Sequence, residues 1–403
     1  MKRVAKISNT FLSSLIIAFL MLVASALISR NYGASWLGEI GIFMFYCSIF
    51  SVVNAVFGSS SILYVAAKKN SSAVIVVATF WTIVVFLLAI LLGALFFKHH
   101  LNFSWLLAVA IIQSFYINFL YLLLVNGRVV RYNTIRVCQP LFLLIGILSL
   151  ISLQIKDINF YYIVLFVSYL VPLIYLVIVS ERNQLWGVNL SKKEFKDTAI
   201  LFFRFGGLSQ LINGLQLINY RVSLLVISVL CSSSEVGIMV LALTFVDGIW
   251  MYKNSVGLIN YMETSQSDHE GRSILKLIHL SVSVTVAVII SVVLVPNRLY
   301  IYVFGKDFTE LKQLILYMTP GIIFMAASSP ISSYFSGIGK VWVNLVVAVS
   351  GILTFLPILY IATEQYGLKG AALASNIPNV LGSLILFWFY FRQARRHRNN
   401  ERL

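Results

Sequence analysis

The sequence predicts an all-α polytopic membrane protein, with about twelve transmembrane helices in two six-helix lobes that repeat in parallel around a central cavity. Three observations predict it. Of 403 residues, 60% are hydrophobic and 11% charged, with mean hydropathy +0.91, whereas a soluble domain is roughly 45–50% apolar and about 25% charged. Apolar stretches of about 20 residues, enough to cross a hydrocarbon core of about 30 Å, recur along the chain. The longest polar interruption, residues 181–197, falls near its middle. The same composition excludes a soluble globular protein and a disordered one.

The spans read in order as 10–29, 37–67, 73–97, 103–126, 134–153 and 159–180, then 199–230, 235–261, 275–296, 311–336, 341–363 and 370–391. The first begins after Lys2, Arg3 and Lys6 and ends near Ala24-Ser25-Ala26, a pattern that also resembles a secretory signal with its cleavage site. Eleven further spans follow, so it reads as an uncleaved first helix. Spans longer than 25 residues imply tilt or helices that project beyond the hydrocarbon. Domain boundaries follow from this order: an N-terminal lobe 1–182, a cytoplasmic linker 183–198, a C-terminal lobe 199–391 and a basic cytoplasmic tail 392–403.

Alternate loops carry 22 and 7 of the 30 Lys and Arg residues, and Arg221 lies within a span. Cytoplasmic loops retain positive charge, so both termini are expected in the cytoplasm. Trp36 and Trp105 would anchor the outer interface, Trp342 and Trp388 the inner one. The formal net charge of +16 therefore records topology more than ligand, and no nucleic-acid partner is implied. The basic tail is expected against anionic membrane lipid.

The halves echo each other. Glu39-Ile40-Gly41-Ile42 opens span 2 and Glu235-Val236-Gly237-Ile238 opens span 8; Gly127-Arg128 with Asn133 follows span 4 and Gly339-Lys340 with Asn344 follows span 10. With Asn219-Tyr220-Arg221-Val222, Phe304-Gly305-Lys306-Asp307-Phe308, Tyr334-Phe335-Ser336-Gly337-Ile338-Gly339-Lys340 and Tyr366-Gly367-Leu368-Lys369-Gly370-Ala371-Ala372, the chain resembles the polysaccharide flippases of the multidrug/oligosaccharidyl-lipid/polysaccharide exporter superfamily, most of all the Wzx-type O-antigen branch. That resemblance implies a flippase that moves undecaprenyl-pyrophosphate-linked oligosaccharide across the inner membrane by alternating access, with a polysaccharide polymerase and chain-length regulator as further partners. Many relatives carry an acidic residue two positions after the Tyr-Arg pair; here Ser223 stands there.

Charges inside spans cost roughly 2.5–3.5 kcal/mol on insertion scales and are functional candidates. Arg221 and Asp247 lie at depths that differ by about one helical turn. Either they pair, or Arg221 faces the cavity and engages a pyrophosphate through its forked donors. Arg30, at the outer end of span 1, either snorkels or assists there. Gln210, Asn213, Gln216 and Asn219 form an amide row in span 7 that lipid cannot satisfy; it lines a sugar path or bonds to other helices. Span 4 adds Gln113, Asn118 and Asn126. No cofactor or metal is implied. Coupling to H+ or Na+ would fall to Asp247.

Cys47, Cys138 and Cys231 read as apolar fillers, His99 and His100 as solvated, and Pro140, Pro172, Pro320, Pro330, Pro357 and Pro378 as bend points within spans. Catalytic motifs are lacking, so no enzyme is expected. The rival readings are a multidrug/cation antiporter of the same superfamily, which should need a deep carboxylate in the first six spans, and an O-antigen polymerase, which should need a sizeable outer loop.

Overall fold

The computed structural model describes residues 2–58, 60–66, 68–96, 103–179, 191–264 and 272–400. His99 and His100, the first half of the linker and the last tail residues lie outside them. The described residues form helices joined by short turns: α1 (Lys2–Tyr32), α2 (Ala34–Asn54), α3 (Ser60–Ala66), α4 (Ser71–Phe96), α5 (Phe103–Val125), α6 (Val129–Ser152), α7 (Ile158–Val179), α8 (Lys192–Leu230), α9 (Ser233–Thr264), α10 (Arg272–Leu294), α11 (Asn297–Phe304), α12 (Leu311–Gly337), α13 (Trp342–Ala374) and α14 (Asn376–Asn400). Among the described residues ten stretches are long and apolar enough to cross a membrane, one of them covering both α13 and α14. Twelve long helices and two short ones among the described residues make this a multi-pass membrane protein.

Contacts divide the chain into two compact units, residues 1–31 with 43–214, and residues 32–42 with 215–403. In the first, α5 packs against α3, α4, α6 and α7; in the second, α12 packs against α9, α10, α13 and α14. Leu314, Ile322, Ile331 and Phe335 give α12 a buried apolar spine. At about 25 cal/mol per Å2, contacts of this kind are counted against water; in lipid they specify close packing rather than drive burial.

Several boundaries differ from the sequence reading, each for a local reason. Span 2 is broken: α2 stops at Asn54, a 3-10 turn covers Ala55–Phe57, and α3 resumes after Gly58, whose backbone is extended. Ser61 Oγ donates to the Ala55 carbonyl at 3.2 Å and Thr82 Oγ1 donates to Asn54 Oδ1 at 2.8 Å, so side chains satisfy what the helix gives up. Asn118 Nδ2 extends the network to Thr82 Oγ1 at 3.2 Å. Helix α8 starts at Lys192, inside the expected linker, because Ser191 Oγ caps it by accepting from the Glu194 amide at 3.1 Å. It runs unbroken to Leu230, past the buried Ser223. Helix α6 begins five residues before the expected 134 and so takes in Arg131. The last hairpin is a kink at Gly367 (φ +58°), followed by a fresh start at Asn376, which places Pro378 in a first turn rather than mid-span.

The motifs acquire structural roles. Asp307 of the Phe-Gly-Lys-Asp-Phe motif accepts from the Ala34 amide at 3.2 Å and so caps α2, next to Gly33 (φ +85°). The two Glu-x-Gly echoes lie at one crossing: Gly38, just before Glu39, lies against the Ser233 carbonyl and Gly237, Gly237 against the Ala34 carbonyl and Gly41 against Val240, so α2 and α9 cross where side chains would block them.

Candidate functional site

The two deep charges pair. Arg221 on α8 donates through Nη2 to Asp247 Oδ2 on α9. An unpaired arginine or carboxylate at this depth would bear the insertion cost alone, and the pair offsets it. Their side chains remain 28% and 45% exposed, so neighbouring side chains cover the pair only in part.

The amide row divides by partner. Asn213 Nδ2 donates to the buried Gln210 Oε1 at 3.0 Å, so these two satisfy each other along one helix face. Asn219, 7% exposed, donates through Nδ2 to the Ala348 carbonyl of α13 at 2.9 Å, while its Oδ1 is buried with no partner among the described residues. Gln216 faces open space.

That space is a cavity of about 380 Å3 in the C-terminal unit, lined by Gln216 and Tyr220 of α8, Ser328, Ser329, Ser332 and Ser333 of α12, Asn344 of α13, and Asn379 and Ser383 of α14, with a few apolar residues. Its walls are pinned by hydrogen bonds between helices. Asn344 accepts from Ser332 Oγ at 2.9 Å and donates to Ser336 Oγ at 2.9 Å; Ser383 Oγ meets Ser328 Oγ at 2.9 Å and donates to the Phe324 carbonyl at 2.8 Å. No charged side chain lines it. Hydroxyls and amides both donate and accept, so such a wall suits a neutral hydroxylated ligand.

The sequence reading missed this serine set. Its signal is present: serine pairs at 328/329 and 332/333 lie one helical turn apart around Pro330, and Asn344, Asn379 and Ser383 fall in the next two spans. Arg30 lies exposed in the last turn of α1, where a cation complements the helix C-terminus. In the N-terminal unit Gln113 Oε1 is buried without a partner among the described residues, and Asn118 joins the network at the break in α2. Those residues hold no cluster of His, Cys, Asp and Glu arranged for a metal.

Comparison with solved structures gives this architecture a context. A multidrug-resistance MATE-family transporter of the MOP superfamily, in an inward-facing conformation, superposes with a TM-score of 0.75 at 14% identity, covering 95% of this chain and 96% of the other. The chain shares the fold of that transporter. The lipid II flippase MurJ matches with a TM-score of 0.64 at 15% identity, over 94% of this chain and 87% of its own. A MOP superfamily transporter from Pyrococcus furiosus, described by the reversed polarity of its binding pocket, gives 0.62 at 14% identity over 96% and 95%. No family model matches the sequence. One curated relative, a Shigella flexneri protein named for O-antigen transport, is 30% identical over 79 residues, which span 20% of this chain and 19% of that protein.

Proposed function

We propose that this chain is a Wzx-type flippase, which carries undecaprenyl-pyrophosphate-linked oligosaccharide from the inner to the outer leaflet of the bacterial cytoplasmic membrane by alternating access and without covalent chemistry. The observation that carries the reading is the character of the C-terminal unit: a neutral hydroxyl- and amide-lined cavity in the same unit as a partly exposed arginine whose partner is a deep carboxylate. The short match to a protein named for O-antigen transport and the fold shared with a lipid II flippase support it.

In this reading Arg221, assisted by Arg30, meets the pyrophosphate, and Gln216 and Asn219 belong to the sugar path with Gln210 and Asn213. Asp247 supplies ion coupling. A proton or Na+ on its carboxylate weakens the hold on Arg221 and frees the guanidinium fork for phosphate. Lobes 1–182 and 199–391, joined by the linker 183–198, would be the moving bodies, and the tail 392–403 a cytoplasmic anchor on anionic lipid. The translocated unit would pass to a polymerase and chain-length regulator.

Cells deprived of the protein should accumulate single lipid-linked repeat units on the inner face, detected by protection from a membrane-impermeant glycosidase in spheroplasts. Accumulation on the outer face would replace flippase with polymerase, and unchanged polysaccharide with new drug sensitivity would replace it with antiporter.

A further inference from the structure

Arg136 is counted with the loops when spans are read from sequence, yet it lies seven residues inside α6, about 10 Å along the axis at 1.5 Å per residue. Snorkelling to the cytoplasmic interface would explain it, but the side chain does not turn that way. Helices α1 and α6 are in register where Asn133 Nδ2 donates to Asn9 Oδ1 at 2.8 Å and to Thr10 Oγ1 at 3.0 Å. From there Arg136 is three residues further along α6, while its partner Ser14 is four to five residues further along α1. The guanidinium therefore points level with its own Cα or deeper, away from the start of both helices.

Its surroundings supply polar groups without negative charge. Arg136 Nη1 donates to Ser14 Oγ at 3.2 Å, and the phenols of Tyr116 and Tyr121 lie within its electrostatic reach. Among the described residues no carboxylate lies within salt-bridge distance of it, whereas Arg221 has Asp247. Ser14 engages one arm of the donor fork and leaves the others open. An intramembrane cation without a counter-charge marks a functional site, and the missing charge is then the ligand's.

We propose that Arg136 and Ser14 form a diphosphate site in the N-terminal unit that receives the headgroup of the lipid carrier on the inner-leaflet side, before Arg221 is engaged. The assignment rests on the flippase reading and its orientation. It separates two tasks: Arg136 is open to an anion at rest, while Arg221 is held by Asp247 until that pair loosens. The occupant is an isoprenyl diphosphate rather than free diphosphate, because the site lies within the hydrocarbon depth of α1 and α6, where a lipid-anchored headgroup arrives from the leaflet.

The test is equilibrium binding to the full chain in phosphatidylcholine nanodiscs, with citronellyl diphosphate and inorganic diphosphate as probes. Arg136→Ala should weaken citronellyl diphosphate about thirtyfold or more, as expected when one partner of a charge pair is removed. Arg136→Lys should recover part of the loss, since it keeps the charge without the fork. Ser14→Ala should cost a few-fold at unchanged thermal stability, as for one hydrogen bond. Wild-type affinity in Arg136→Ala overturns the site, and inorganic diphosphate binding as tightly as the isoprenyl ester overturns the lipid assignment. If wild type binds neither probe while depleted cells still accumulate inner-face repeat units, this site fails and the flippase reading stands. If both results are negative, the flippase reading falls too.

Discussion

At the residue scale the Arg221–Asp247 pair makes a prediction with a sign that distinguishes pairing from mere proximity. Removing one partner leaves an uncompensated charge inside a span, so Asp247→Asn or Arg221→Gln alone should destabilise more than the double variant. With side chains 28% and 45% exposed, the single-variant cost is discounted for screening to about 1–2 kcal/mol. Thermal unfolding in detergent reads it, and additive losses would mean that the two groups do not interact. The pair was half legible in the sequence. Spacing placed both residues within a turn of the same depth, but choosing between pairing and a cavity-facing arginine required the azimuth of two helices, which a list of residues does not contain. The neutral cavity was less legible, because attention to charge favours Arg221 over Ser328, Ser332, Asn344 and Ser383. Serine is common and cheap in membrane helices, bonding back to its own carbonyls as Ser336 does to Ser332. Its collective role appears only when three helices bring several hydroxyls together.

At the scale of elements, the break in α2 shows why helix ends were harder to read than helix existence. Residues 37–67 form one apolar stretch, and hydropathy has no term for a helix that ends inside it. What ends it is a set of buried side chains from elsewhere in the sequence: Asn54 from α2 itself, Thr82 from α4 and Asn118 from α5, at 4%, 2% and 1% exposure. The break should therefore depend on Thr82, whose hydroxyl both donates to Asn54 and accepts from Asn118. Thr82→Val preserves shape and removes both bonds, leaving an amide oxygen and an amide N–H without those partners in a buried site; it should cost about 2–3 kcal/mol. Thr82→Ser should keep most of the stability. Equal stability of the Val and Ser variants in thermal unfolding would show that the break is held by packing alone. By contrast, the start of α8 was local and legible. Ser191-Lys192-Lys193-Glu194 is a capping-box pattern, and only the habit of ending a span at its charges hid it.

For the whole molecule, the distribution of cations makes the orientation testable independently of any substrate. Lys and Arg crowd alternate connections, 22 against 7 in the sequence, and moving Arg136 into a helix leaves that bias intact. Aromatic residues agree at the end of the chain: Trp388 is 55% exposed on α14 with the Arg392 guanidinium 5.2 Å from its ring, an arrangement suited to a headgroup interface. A cytoplasmic C-terminus implies that green fluorescent protein fused after residue 403 fluoresces and that alkaline phosphatase fused there is inactive. Phosphatase inserted at the turn after Ser152, or between Phe304 and Leu311, should be active. The reverse pattern would invert the orientation, putting Arg136 near the outer face and Arg30 near the inner one. Because this assay reads only where the loops lie, it decides whether the inner-leaflet entry argued for Arg136 has the right geometry, whichever lipid is carried.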